Sequence, residues 1–494
     1  LIFIEKNMQN HHLLELLNTF SRKEMTRFVE FSRSPYHHKH ETTQVLISYL
    51  DKCYPEFSQR LFDRKVIWKK LFPKQPFDQS KLALLFTYAW RLCENFLIEE
   101  QLAQHPQREQ WLLIALRERR QWTIYERQLK KSKNALTKTI QRDTNYYRQV
   151  MALAEEANEF YTVWEPRAQD QSLIEKEHAL DQYYVLEKLR DAVQLQMRRQ
   201  ILQGDYSARL LEGVLEELRL NGEAYREAPA VQVYYQLYQM MDQPSLHAYQ
   251  SALTIFQENE QRFQLQELTA IYNYLQNFCI AQINRNELSF LRELFGLYNA
   301  QLARNLLHEG GYLIEWHYKN IVTAALRLGE LEWVDHFIET QKEALAPAAA
   351  ENAYRFNKAA YCHAVGEFGK VLELLTQVEY SDLRYNLGAK ALLLRTYYEL
   401  DEFEALHALV ESFRQYLQRN RLLADSRRSG YYHLFRLTRR LAKLRAQYPY
   451  MDIGQATQRL AKIKNDMEQT DSIFNRAWLE RKLEALSVSR KSES

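Results

Sequence analysis

Glycine and proline are scarce, 12 and 10 among 494 residues, and no glycine precedes Gly204. A chain with so few helix breakers, rich in Leu, Gln, Glu, Arg and Ala and with apolar residues at helical spacing, is expected to be all-α. No apolar run approaches the ~20 residues that a membrane-spanning helix needs, so no membrane partner is expected. The opening Leu1-Ile2-Phe3-Ile4 is interrupted at once by Glu5 and Lys6, too early for a signal-peptide core. A first residue of Leu1 points to an alternative start codon or to a true start at Met8. The four cysteines (Cys53, Cys93, Cys279, Cys362) are dispersed and form no Cys-x-x-Cys, a usage that fits reduced thiols in a cytoplasmic protein. A phosphate-cradling loop is excluded, because Gly310-Gly311 stand alone without a following Lys-Ser/Thr. Neither a His-Glu-x-x-His motif nor a nucleophile elbow occurs, and carboxylate pairs such as Glu155-Glu156 have the spacing of a solvated helix face. No catalytic residue, metal site or cofactor is therefore expected, and the net charge of +3 specifies no partner.

What is present is aromatic and helical. Thirty-two tyrosines suit helix seams, where the ring packs inside and the hydroxyl reaches the wet edge. Residues 9–105 read as an N-terminal helical domain. Ser21 to Glu24 has the form of a capping box, Pro35 stops the helix that follows, and Asp78 caps a longer one. Residues 106–204 read as a long helical hairpin broken only at Pro166. Trp122, Tyr125, Leu129, Leu136, Ile140, Tyr147, Val150, Ala154, Ala157 and Tyr161 share one stripe of its first arm. Ser172 to Glu175 would be a second capping box, opening an arm that reaches Gln203 and pairs antiparallel with the first. The alternative is two enlarged repeats. Residues 205–486 form a series of shorter helices, and the polar tail 487–494 is expected to be disordered.

Within that series one signature recurs: Gly329-Glu330-Leu331 with Val334, Gly366-Glu367-Phe368 with Val371, and Asp401-Glu402-Phe403 with Leu406. The copies lie 37 and 35 residues apart, a period that marks helical hairpins. Asn286-Glu287-Leu288 with Leu291 is a degenerate copy 43 residues earlier. Phe368 and Phe403, directly after the turn, are expected to be buried inside their hairpins, and Pro347 to mark a hinge between two of them. The Gly366 and Asp401 units resemble tetratricopeptide repeats, with Ala359 at the small position of the first helix. Val334, Val371 and Leu406 stand where that family has Ala, so the units are degenerate. The resemblance implies a right-handed helical-hairpin solenoid. The whole chain is also similar to a group of uncharacterised bacterial all-helical proteins, through Leu16 to Ser21, Ser34-Pro35-Tyr36, Trp68 to Pro73 and Trp478 to Leu483. That similarity implies a fold and no chemistry.

His37-His38-Lys39-His40, with His11-His12 upstream, is expected to be a solvated loop, since adjacent imidazoles rarely converge on one metal. Two basic tracts carry more information. Residues 117–148 hold ten Lys/Arg against three acids, and residues 414–445 hold ten against one. The second tract nominates Arg427, Arg428, Tyr431, Arg436, Arg439 and Arg440 as a contact surface. Interleaved cations and rings can grip phosphates and stack bases, whereas acidic helices elsewhere would neutralise such faces. The expectation is a protein-binding scaffold or adaptor on a helical-repeat surface, with nucleic-acid binding through the basic tracts as the alternative.

Overall fold

A computed structural model describes residues 11–57, 63–164, 169–201, 206–378, 383–419, 425–470 and 472–488. Leu1, Met8, Pro166 and the tail beyond Val488 lie outside them. Twenty-three α-helices and one two-stranded ladder are found among the described residues, so the chain is all-α. It divides into two compact units, Leu1–Lys188 with Glu217–Val231 and Leu189–Glu216 with Gln232–Ser494.

The first unit opens with α1 (His12–Leu17), α2 (Arg22–Arg33), α3 (Glu41–Cys53), α4 (Arg64–Leu71) and α5 (Gln79–Gln104). Side chains start all five. Ser21 and Glu24 form the capping box, Asp63 and Asp78 accept from first-turn amides, and His11 and His40 do the same through imidazole. Each cap satisfies an amide that the helix cannot. The histidines therefore cap helices, a role that their crowding in the sequence conceals. Proline explains two of the stops: Ser34 and His105, each one residue before a proline or a step from it, are extended. The four shorter helices pack on α5, where the Phe96 ring meets Phe20, Phe28 and Phe31 at 5.8, 5.4 and 5.6 Å. Burying a phenylalanine of this kind contributes about 2–3 kcal/mol.

Next come α6 (Arg108–Glu118), α7 (Trp122–Lys138), α8 (Thr144–Trp164) and α9 (Gln169–Ile201). The continuous first arm expected over Trp122–Tyr161 is two helices, not one. Arg142 donates to the carbonyls of Thr137, Thr139 and Gln141, sealing the end of α7. Asp143 accepts from the Tyr146 amide at 3.1 Å and starts α8. A cation at one helix end and an acid at the next start follow the peptide dipoles. Ile140, placed on the buried stripe by spacing, is 60% exposed in the break. Ser172 is likewise no cap. It lies inside α9, and its hydroxyl meets Asn158 Oδ1 at 3.3 Å. With Arg148 to Tyr183 (3.3 Å) and to Glu187 (3.9 Å), these contacts run antiparallel along α8 and α9. Tyr125 stacks on Phe160 at 3.9 Å and donates to the Glu156 carbonyl, centring a core shared by α6, α7 and α8.

After α10 (Leu211–Asn221) come α11 (Pro229–Asp242), α12 (Leu246–Asn259), α13 (Leu265–Asn284) and α14 (Phe290–Ala303). A ladder of β1 (His308–Glu309) and β2 (Tyr312–Leu313) follows, turned by Gly310 and Gly311 at φ 58° and 87°. A two-residue turn of that kind needs positive φ at both positions. Leu313 belongs to this ladder, and its amide donates to the Ala344 carbonyl at 2.8 Å. The remaining elements are α15 (Glu315–Leu328), α16 (Leu331–Thr340), α17 (Pro347–Ala364), α18 (Phe368–Thr376), α19 (Leu383–Glu399), α20 (Phe403–Arg419), α21 (Asp425–Gln447), α22 (Ile453–Glu468) and α23 (Arg476–Val488). α23 thus includes Ser487 and Val488, which were assigned to the tail. Pro347 is the first residue of α17, where its missing N–H costs nothing, and Ala346 before it is extended.

Four of these helix pairs share one turn. Asn286, Gly329, Gly366 and Asp401 have φ of 73°, 79°, 84° and 58°. The next amide then donates to the carbonyl five residues back: Glu287 to Gln282, Glu330 to Ala325, Glu367 to Cys362 and Glu402 to Tyr397, at 2.9–3.1 Å. That bond satisfies a helix-end carbonyl and needs the left-handed residue before it. Cys279, Val322, Ala359 and Leu394, each seven residues before the turn residue, are fully buried. On the second helix burial falls on Leu291, Val334, Val371 and Leu406. Phe368 and Phe403, expected inside, are only half-buried. They occupy the first position of their helices, at the rim, and the residue one turn later faces the partner helix. Each helix from α13 to α21 packs on the next, and α15, α17, α19 and α21 also touch in series.

Candidate functional site

The candidate contact surface lies along α21. The Arg427 side chain is outside the described residues, and Arg428 is half-buried with contacts of its own. Tyr431 turns inward, its ring 4.3 Å from Phe474 and 6.2 Å from Phe413. Arg439 is bonded to Glu411 of α20, and Arg440 to Asp466 of α22, with Arg436 also 3.9 Å from Asp466. Arg445 pairs with Asp401 at 2.9 Å, donates to the Tyr398 carbonyl and stands over the Tyr398 ring. The structure brings Arg436, Arg439 and Arg440 together with carboxylates from flanking helices, so their field is largely neutralised. Gly430 allows the approach of the last segment: a Cβ there would lie 2.8 Å from the Phe474 ring.

The other basic tract divides. Arg117 makes a two-pronged bond to Glu156 (2.7 and 3.1 Å), which is 3% exposed, and this pairing raises the Arg117 pKa. Lys133 binds Glu175, while Arg142 and Arg148 are spent on helix ends and on Tyr183. Arg120, Arg127, Lys130, Lys131 and Lys138 remain. Arg120 precedes α7, and Arg127, Lys130, Lys131 and Lys138 lie along its outer face, opposite the buried Tyr125, Leu129 and Ser132. Arg127, Lys130, Lys131, Asn134, Ala135 and Lys138 line a shallow groove there.

A third cationic cluster draws on three helices and forms no tract in the sequence. Glu399 on α19 accepts from Trp478 Nε1 at 3.0 Å and Lys482 Nζ at 2.6 Å, both on α23. One turn earlier on α19, Arg395 Nε is sealed from solvent and meets no acceptor. Burial lowers the Arg395 pKa to about 10, with Glu399 opposing and Arg481 assisting. His363 of α17 also has a buried, unpartnered Nε2. Burial, then Arg395, Lys482 and Arg481, push its pKa down to about 3. The signal available in the sequence was Trp478 to Leu483, a cation pair beside an inward Trp.

The cysteines are all buried and unpaired, and burial raises the thiols of Cys93 and Cys279 to about 12, far from a nucleophilic thiolate. Among the described residues, no three His, Cys, Asp or Glu side chains are placed to hold a metal ion. No described helix is long and apolar enough to cross a membrane. Comparison with known protein families, with curated proteins and with solved structures returns no match.

Proposed function

We propose that the chain is a non-enzymatic, cytoplasmic scaffold that binds a protein partner along a right-handed, tetratricopeptide-like helical-hairpin solenoid. The observation that carries this reading is the recurrence of one left-handed turn in four helix pairs, with α15, α17, α19 and α21 touching in series. A series of that kind presents an extended surface whose residues come from several repeats, which suits a polypeptide better than a small substrate. Four buried, unpaired cysteines fit a reducing compartment. The experiment is affinity capture from native cells with and without nuclease. A protein partner retained after nuclease is the expected result; a partner lost with nuclease would overturn the reading.

The uncompensated outer face of α7 favours a second reading, in which that face contacts nucleic acid. Binding of RNA through it would weaken steeply with salt, because each neutralised phosphate releases counterions.

A further inference from the structure

Arg395 is half-buried, and its Nε is sealed from solvent. A guanidinium N–H taken out of water costs free energy unless an acceptor replaces the lost hydration. Arg395 Nε has no acceptor, and among the described residues neither Arg395 nor Arg481 has an ion-pair partner. The Glu399 carboxylate one turn away is already held by Trp478 and Lys482. Arg395, Arg481 and Lys482 against Glu399 leave two positive charges in excess among these four groups, all of which but Glu399 act on His363.

We infer that Arg395, Arg481 and Lys482 form a seat for a carboxylate from an acidic segment of a protein partner. The inference rests on the scaffold reading and names the chemistry of the partner. A planar guanidinium matches a carboxylate with two parallel bonds. Arg481 is exposed on α23 and open to an incoming segment, while Arg395 lies deeper. Glu399 acts against a polyphosphate, because a multiply charged anion would meet its carboxylate at close range. Trp478 and Tyr398 are buried against each other at 5.4 Å, and the indole N–H is committed to Glu399, so neither ring is open to base stacking. A nucleic-acid strand is therefore disfavoured here, in contrast to the outer face of α7.

The test uses fluorescein-labelled hexaglutamate and the full chain, read by anisotropy, with the His363 ring signals followed by NMR. Wild type is expected to bind with a shift of the His363 signals. Arg481→Glu, at an exposed position that does not endanger folding, should weaken binding about tenfold or more. Arg395→Met should do the same, whereas Lys130→Glu/Lys131→Glu on α7 should leave affinity and the His363 shift unchanged. Equal affinity in wild type and Arg481→Glu, or binding that leaves His363 unmoved, would overturn the seat. So would displacement of the peptide by inorganic phosphate at concentrations where acetate has no effect. Capture of a nuclease-resistant protein partner by both wild type and Arg481→Glu would refute the seat and leave the scaffold standing. Loss of capture by wild type itself would refute both.

Discussion

The tracts 117–148 and 414–445, which contain α7 and most of α21, hold equal numbers of cations, yet the charges of the two helices are used differently. α21 touches α19, α20, α22 and α23, and its arginines end on Glu411, Asp466 and Asp401 from the surrounding elements. α7 packs on α6 and α8 through one face and is tied to α9 by Lys133 and Glu175. Among the described residues, no ion pair reaches the cations of its opposite face. A run of like charge in sequence thus says little about the field it produces. The number of neighbours around the helix decides how many of its charges are answered.

Four substitutions test that contrast, in order of expected effect. Arg117→Met should strand the buried Glu156 carboxylate and cost about 3 kcal/mol in urea unfolding. A loss below about 1 kcal/mol would show that the pair adds little to the first unit. Gly430→Ala on α21 forces a methyl into the Phe474 ring and should cost about 1–3 kcal/mol. Asn134→Ala on the outer face of α7, by contrast, should be neutral or slightly stabilising. Arg439→Glu/Arg440→Glu sets new carboxylates beside Glu411 and Asp466. A loss of about 1 kcal/mol is expected, fading in high salt, whereas Lys130→Glu/Lys131→Glu should stay within about 0.5 kcal/mol of wild type. Equal losses in the two double variants would erase the contrast. The smallest effect concerns single-stranded RNA titrated at several salt concentrations. Arg436→Glu/Arg440→Glu should barely change weak binding, and Lys130→Glu/Lys131→Glu should reduce the salt slope. Tight binding abolished by the α21 variant would transfer the nucleic-acid reading to that helix.

Much of the helical order was legible because its signals are local. Ser21 with Glu24 and Asp78 cap where the sequence places them, and the turn at Asn286, Gly329, Gly366 and Asp401 recurs as its period indicates. The break at 139–143 was missed because apolar spacing ran on through it. The informative residues there were polar, Arg142 and Asp143, and they act on backbone ends. Phe403 is expected inside because it directly follows the turn, but that place is the first position of its helix, at the rim, and Leu406 one turn later is buried instead. The cluster around Arg395 was illegible for a different reason: its members are separated by up to 119 positions, His363 to Lys482, and only packing collects them.

The link between Glu399 and α23 also has a consequence for how the chain reaches its fold. The bonds that close each hairpin turn span a handful of residues, so each hairpin can form as soon as it is made, with little loop entropy lost. Trp478 and Lys482 reach Glu399 across 79 and 83 residues. During synthesis this seam cannot close until α20, α21 and α22 have emerged and α23 has followed them. Until that moment the Glu399 carboxylate lacks its Trp478 and Lys482 partners. Docking of α23 therefore closes a contact of much longer range than any hairpin turn, and loop-closure entropy places it after the hairpins.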